Sequence, residues 1–149
     1  MIELNSKTQQ DFLNREWVQR LLDAGVDMSD AKYRIYNGFN GKDYVTLKSQ
    51  LISCTSANDI IPTYTVSELL YKLHEWITVE IDGETYSGGL KYVKDAPFYF
   101  FYYDLETETR DKTYENINAE YEYPIESLAS VLIQCMKKGI GCVQDISNK

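Results

Sequence analysis

Apolar positions recur at helical spacing in three stretches of the chain and at strand spacing through most of what lies between. The first stretch predicts a helix from about Thr8 to Ala24, with Phe12, Leu13, Trp17, Val18, Leu21 and Leu22 on one broad stripe. Gly25 follows as a left-handed cap, and Val26 is placed to fold back on the last turn. The second helix opens after Pro62. Thr65 and Glu68 stand at capping-box spacing, Tyr64 and Leu69 at staple spacing, and Val66, Leu69, Leu70, Leu73 and Ile77 make the stripe. The third runs from Pro124 to Lys138, with Pro124 at the first helical position and Gly139 ending it. Lys137 and Lys138 meet the negative end of its dipole. Its stripe is regular enough to place it across a sheet, burying Leu128, Leu132 and Met136.

Between the helices the period drops to two. Residues 32–37 and 43–49 flank Gly38 and Gly41 and predict a hairpin. Asp82-Gly83, a favoured two-residue turn, separates two further alternating runs, and Gly88-Gly89 predicts a bulge in the second of them. Residues 118–123 read either as one more strand or as an extended lead into the last helix. The order is α-ββ-α-βββ(β)-α in a single domain, 1–149. It predicts an α+β fold, an antiparallel sheet with helices packed mainly on one face.

One strand breaks the alternation. Phe98 to Tyr103 are six consecutive aromatic residues. A half-solvated strand would interleave polar side chains, so this one reads as central in the sheet, paired on both sides. Parity sorts Phe98, Phe100 and Tyr102 to one face and Tyr99, Phe101 and Tyr103 to the other. The hydroxyl-bearing Tyr99 and Tyr103 mark their face as the more polar one, which sets Phe98 and Phe100 against the helices. The face with Tyr99, Phe101 and Tyr103 is then either covered by a loop or partner, or an exposed aromatic patch. With Asp104, Glu106 and Glu108 it forms the candidate interaction surface. If that face is bare, a symmetric homodimer could cover it.

Charge narrows the partners. The net formal charge of −8 disfavours nucleic acid and anionic membranes. Residues 104–122 hold seven acids against Arg110 and Lys112, a net of −5 in what reads as a solvated connection. Three cysteines, Cys54, Cys135 and Cys142, form no CxxC pair, and the odd count fits reduced thiols. The N-terminus lacks a basic region followed by an apolar stretch, and no apolar run approaches the ~20 residues of a membrane span. The expectation is a cytoplasmic protein.

Candidate chemistry is sparse. His74 is the only histidine, and the position four residues on is Thr78, so there is no HExxH zinc site. Gly38–Asp43 resembles a phosphate loop, but Tyr36 stands where Gly is required, Asp43 replaces Ser/Thr and no helix follows. A nucleic-acid GXXG clamp would need helices on both sides of that turn, where strands stand. Asp27–Asp30 lacks the Gly and final Glu of a calcium loop and reads as a helix exit or turn. Ser127 and Ser130 have no histidine beside them, and no GxSxG elbow occurs. Asp104, Glu106 and Glu108 could together hold a hard cation, or simply keep a strand end from pairing. No catalytic, metal or cofactor-binding residue is assigned, and no cofactor is expected.

The helix exit at 20–27, the helix start at 62–73 and the apolar C-terminal helix at 124–141 resemble a group of uncharacterised small proteins of phages, prophages and mobile elements of gut bacteria. The resemblance implies genomic context and fold and carries no activity. The functional expectation is a non-enzymatic protein-binding or accessory domain. Two alternatives stand beside it: an acidic inhibitor that mimics nucleic acid, and a carboxylate-dependent hydrolase.

Overall fold

Two antiparallel sheets and three helices share one apolar core, an α+β fold. The computed structural model describes residues 2–38, 40–51 and 60–139; Cys54 and Cys142 lie outside them. The first sheet has the order β1-β3-β2-β4, from β1 (Ile2–Glu3), β2 (Tyr33–Asn37), β3 (Asp43–Leu47) and β4 (Ile61–Thr63). In the second, β5 (Trp76–Ile81), β6 (Glu84–Asp95) and β7 (Phe98–Glu106) lie side by side. The two short strands β8 (Thr113–Tyr114) and β9 (Asn118–Tyr121) pair with successive parts of the far edge of β7. The aromatic strand is therefore central, as predicted.

Helix α1 spans Arg15–Asp23 and starts seven residues later than its stripe predicts. Phe12 bridges to Thr65, and the Leu13 N–H donates to the Tyr64 carbonyl. These pairings hold the chain extended until Asn14, whose side chain accepts the Trp17 N–H and caps the helix. At the other end Gly25 (φ +91°) and the bonds Gly25 N–H to Leu22 and Val26 N–H to Leu21 form a Schellman cap with Val26 buried. Helix α2 (Val66–Lys72) carries the complete Thr65–Glu68 capping box. It ends at Lys72, five residues before the last position of its stripe, and Ile77 belongs to β5 instead.

Helix α3 (Pro124–Lys137) lies on β7 and β9 and also meets α1 and α2. Leu128 and Leu132 are fully buried, whereas Met136 is half-buried. The Ser127 hydroxyl donates to the Tyr99 carbonyl at 2.7 Å and accepts the Tyr121 N–H at 3.0 Å, which fixes the helix over the β7–β9 ladder. Trp17 Nε1 donates to Glu126 at 2.6 Å and joins α1 to the same helix.

Three local readings need correction. The pairing of β6 runs through Gly88-Gly89 without a bulge. Gly88 is needed for closeness instead, because a Cβ there would sit 1.7 Å from the Asp104 carbonyl oxygen. The acidic stretch 104–122 is partly strand: it completes β7 and contains β8 and β9. Cys135 is fully buried and disulfide-bonded, so the expectation of reduced thiols throughout does not hold.

The Asp82-Gly83 turn has both residues at positive φ, 52° and 82°, the type I′ geometry that matches strand twist. The β6–β7 hairpin closes at Ala96-Pro97 through a cis peptide bond. No helix among the described residues is long and apolar enough to cross a membrane.

Candidate functional site

The second sheet has one face under α3 and one face open, and register decides which side chains go where. Tyr103 pairs with Leu90, Phe101 with Ala119 and Tyr92, and Leu105 with Gly88 and Tyr114. Phe101, Tyr103 and Leu105 are buried and Tyr99 is half-buried, so the odd-numbered residues of β7 face the core. The even-numbered set, Phe98, Phe100, Tyr102, Asp104 and Glu106, lies on the open face. The expected orientation of the strand is thus inverted.

Two physical causes produce the inversion. Tyr103 is tolerated in the core because its hydroxyl donates to the His74 carbonyl at 2.6 Å, and burial pushes its ionisation above the ordinary tyrosine range. The carboxylates supply the other cause. Asp104 and Glu106 share the parity of Phe100 and Tyr102, and driving carboxylates under a helix would need buried cations to pair with them. The continued alternation Tyr103-Asp104-Leu105-Glu106 was the available signal. It outweighs the polarity of two tyrosine hydroxyls.

The candidate surface consequently splits. Tyr99, Phe101 and Tyr103 belong to the helix-covered side. Asp104, Glu106 and Glu108 line a groove of about 590 Å³ on the open side. Its opposite wall is Trp76, and Ser87, Gly89 and Lys91 form part of its floor. Trp76 is 66% exposed, the highest value among the large exposed apolar side chains of the described residues. It escaped the sequence reading although its parity was legible: in 76–81, Trp76 shares a face with Thr78 and Glu80 and alternates with Ile77 and Val79. Val93 and Phe98, 48% and 42% exposed, extend the apolar surface toward the hairpin tip. Phe100 and Tyr102 stack on one another at 5.0 Å between ring centres.

The rim of the groove is ordered by its own hydrogen bonds. Asp111 accepts the Thr109 and Thr107 hydroxyls at 2.6 and 2.7 Å, and these bonds hold its carboxyl below the ordinary range. Lys112 reaches across to Glu84 at 2.8 Å, and that bond raises its pKa. Arg110 lies 3.9 Å from Glu106, a long and exposed pair. Among the described residues no three His, Cys, Asp or Glu side chains converge to hold a metal ion.

A second polar cluster lies inside the core. Lys72 pairs with Asp30 at 2.5 Å, and Asp30 also accepts the Tyr64 hydroxyl at 2.5 Å. Lys72 and the Tyr64 hydroxyl both donate to the Asp27 carbonyl, at 3.2 and 3.3 Å. Burial, followed by the bond to Asp30, raises the Tyr64 pKa far above its ordinary value. The turn at 27–30, legible in sequence only as a turn, is therefore fastened to α2 by a buried ion pair. The cluster is closed to solvent and serves the fold. His74 contributes a backbone carbonyl to Tyr103 and takes part in neither cluster through a described side-chain bond.

No protein-family model, no curated protein and no solved structure matches this chain.

Proposed function

We propose that this chain is a non-enzymatic protein-binding domain, of the phage and mobile-element kind that its helix pattern resembles, and that the open face of the second sheet binds the partner. The observation that carries the reading is the outward aromatic row. Phe98, Phe100 and Tyr102 stand on an uncovered sheet with Trp76 and Val93 beside them, and Asp104, Glu106 and Glu108 edge the same surface. Aromatic anchors inside a charged rim are the composition of protein interfaces, where Trp and Tyr carry a disproportionate share of the binding energy.

Lys91 and Arg110 line the groove together with the acids, which supports a surface of mixed charge better than a phosphate-like track or a carboxylate reaction centre. The test compares native protein with a Trp76→Ala/Phe98→Ser double variant as bait in a bacterial lysate, after checking that both melt alike. A protein captured by the native chain and lost by the variant is expected. The same captured proteins in both lanes would overturn the reading.

A further inference from the structure

The β6–β7 hairpin is longer than its neighbours. β5 accompanies β6 only over residues 84–89, and the Leu90 N–H still reaches the Glu75 carbonyl. Beyond that, no described strand pairs with β6 on this side, and residues 91–95 are all exposed. Backbone groups alternate in direction along a strand. Because the Leu90 N–H points to the β5 side, the N–H and carbonyl groups of Tyr92 and Lys94 point into the same open edge. Lys91, Val93 and Asp95 direct theirs at β7.

We propose that this edge pairs with the same edge of a second copy of the chain, antiparallel about a two-fold axis at Val93, joining the two second sheets into one. The inference concerns the edge of the sheet, and it holds whether or not the open face binds a partner. Its warrant is that the segment Lys91-Tyr92-Val93-Lys94-Asp95 is complementary to itself in this register and in no neighbouring one.

With Val93 opposite Val93 of the second copy, Tyr92 of each chain stands opposite Lys94 of the other. Both have backbone groups on the open edge, so the two residues exchange both main-chain hydrogen bonds. On the open face Lys91 meets the second copy's Asp95, twice by symmetry. On the other face the half-exposed Tyr92 ring receives the second copy's Lys94. Centred on Tyr92, the pairing would set Lys91 against Val93 and Asp95 against Gly89 and leave both charges without a partner, and centred on Lys91 or Lys94 it would place lysine opposite lysine. Lysines on an edge ordinarily discourage strand addition. Here Lys91 gains a carboxylate, and Lys94, whose Nζ already lies 5.5 Å from the centre of its own Tyr99 ring, gains a second ring only in a correctly registered copy, which selects a closed dimer over an open fibre.

The contact is short, so association belongs at about 10 μM to 1 mM, the range of small interfaces. The experiment is sedimentation equilibrium on the full chain across that range, with melting curves as a folding control. Native protein is expected to pass from monomer to dimer. Lys91→Asp and Asp95→Lys, each alone, set like charges opposite one another at two symmetric sites and should weaken the dimer about tenfold. The double variant exchanges the two charges and should restore native association. A native monomer throughout the range, a dimer indifferent to the single changes, or a double variant as weak as either single would each overturn the proposal.

Discussion

The Lys72 ammonium lies 2.5 Å from the Asp30 carboxylate, with the two side chains 5% and 4% exposed. Forty-two positions apart in sequence, they join the exit of α1 to the last turn of α2. Removing one ion of such a pair leaves the other charged and out of water, so Lys72→Met should destabilise the fold by about 3–5 kcal/mol although its stem still packs. Urea unfolding measures this. A loss below about 1 kcal/mol would mean that the pair does not hold these elements together.

Tyr64 and Tyr103 hold their protons more tightly in the fold than in the unfolded chain, chiefly because burial disfavours the phenolate. The sign follows from linkage. Below about pH 10, the ordinary tyrosine pKa, both states are protonated and the contribution is intact. Above it the unfolded chain ionises first, so stability falls as pH rises further. Ultraviolet titration should show a late-ionising fraction among the thirteen tyrosines, released together with unfolding. Titration of all tyrosines as one class in folded protein would contradict the burial.

Gly88 and Gly89 are adjacent in sequence and should respond differently to alanine. At Gly88 the added Cβ would meet the Asp104 carbonyl at 1.7 Å, inside the sheet, where neither strand can yield. At Gly89 the nearest atom is the Glu75 carbonyl oxygen at 3.3 Å. Gly88→Ala should cost about 1–3 kcal/mol or more, the range of overpacking, and Gly89→Ala clearly less. Equal melting temperatures for the two variants would show that β6 and β7 are not this close.

The Cys135 disulfide is testable by mass. Of three cysteines, one should take up an alkylating group in denatured, unreduced protein, and all three after reduction. Three labels without reduction would show the bond to be absent.

What was legible in sequence was local. The Thr65–Glu68 box, Pro124 opening α3, Gly25 closing α1 and the Asp82-Gly83 turn each rest on contacts within a few residues, and each stands where its chemistry places it. What was not legible depends on remote partners. Phe12 and Leu13 fit a helical stripe, but Thr65 and Tyr64 hold them in an extended pairing that no local pattern announces. The Lys72–Asp30 pair is equally remote. The orientation of β7 is a different case, since it could be read: Asp104 and Glu106 declare the open side more strongly than any tyrosine hydroxyl does. Reading parity through the acids would also have brought Trp76 into the site.

The exposed aromatic surface exists only if even-numbered residues of β7 face outward and odd-numbered residues face α3, so paired aspartate substitutions test it most directly. Phe98→Asp and Phe101→Asp differ by three positions and are compared by thermal melting. Phe98 is 42% exposed and Phe101 7%. Phe98→Asp should melt within a few degrees of native protein, as surface changes of about ±0.5 kcal/mol do. Phe101→Asp should be unfolded or lose several kcal/mol, because it buries a carboxylate beneath the helices. The reverse ranking, or equal damage from both, would contradict the orientation and with it the proposed binding face.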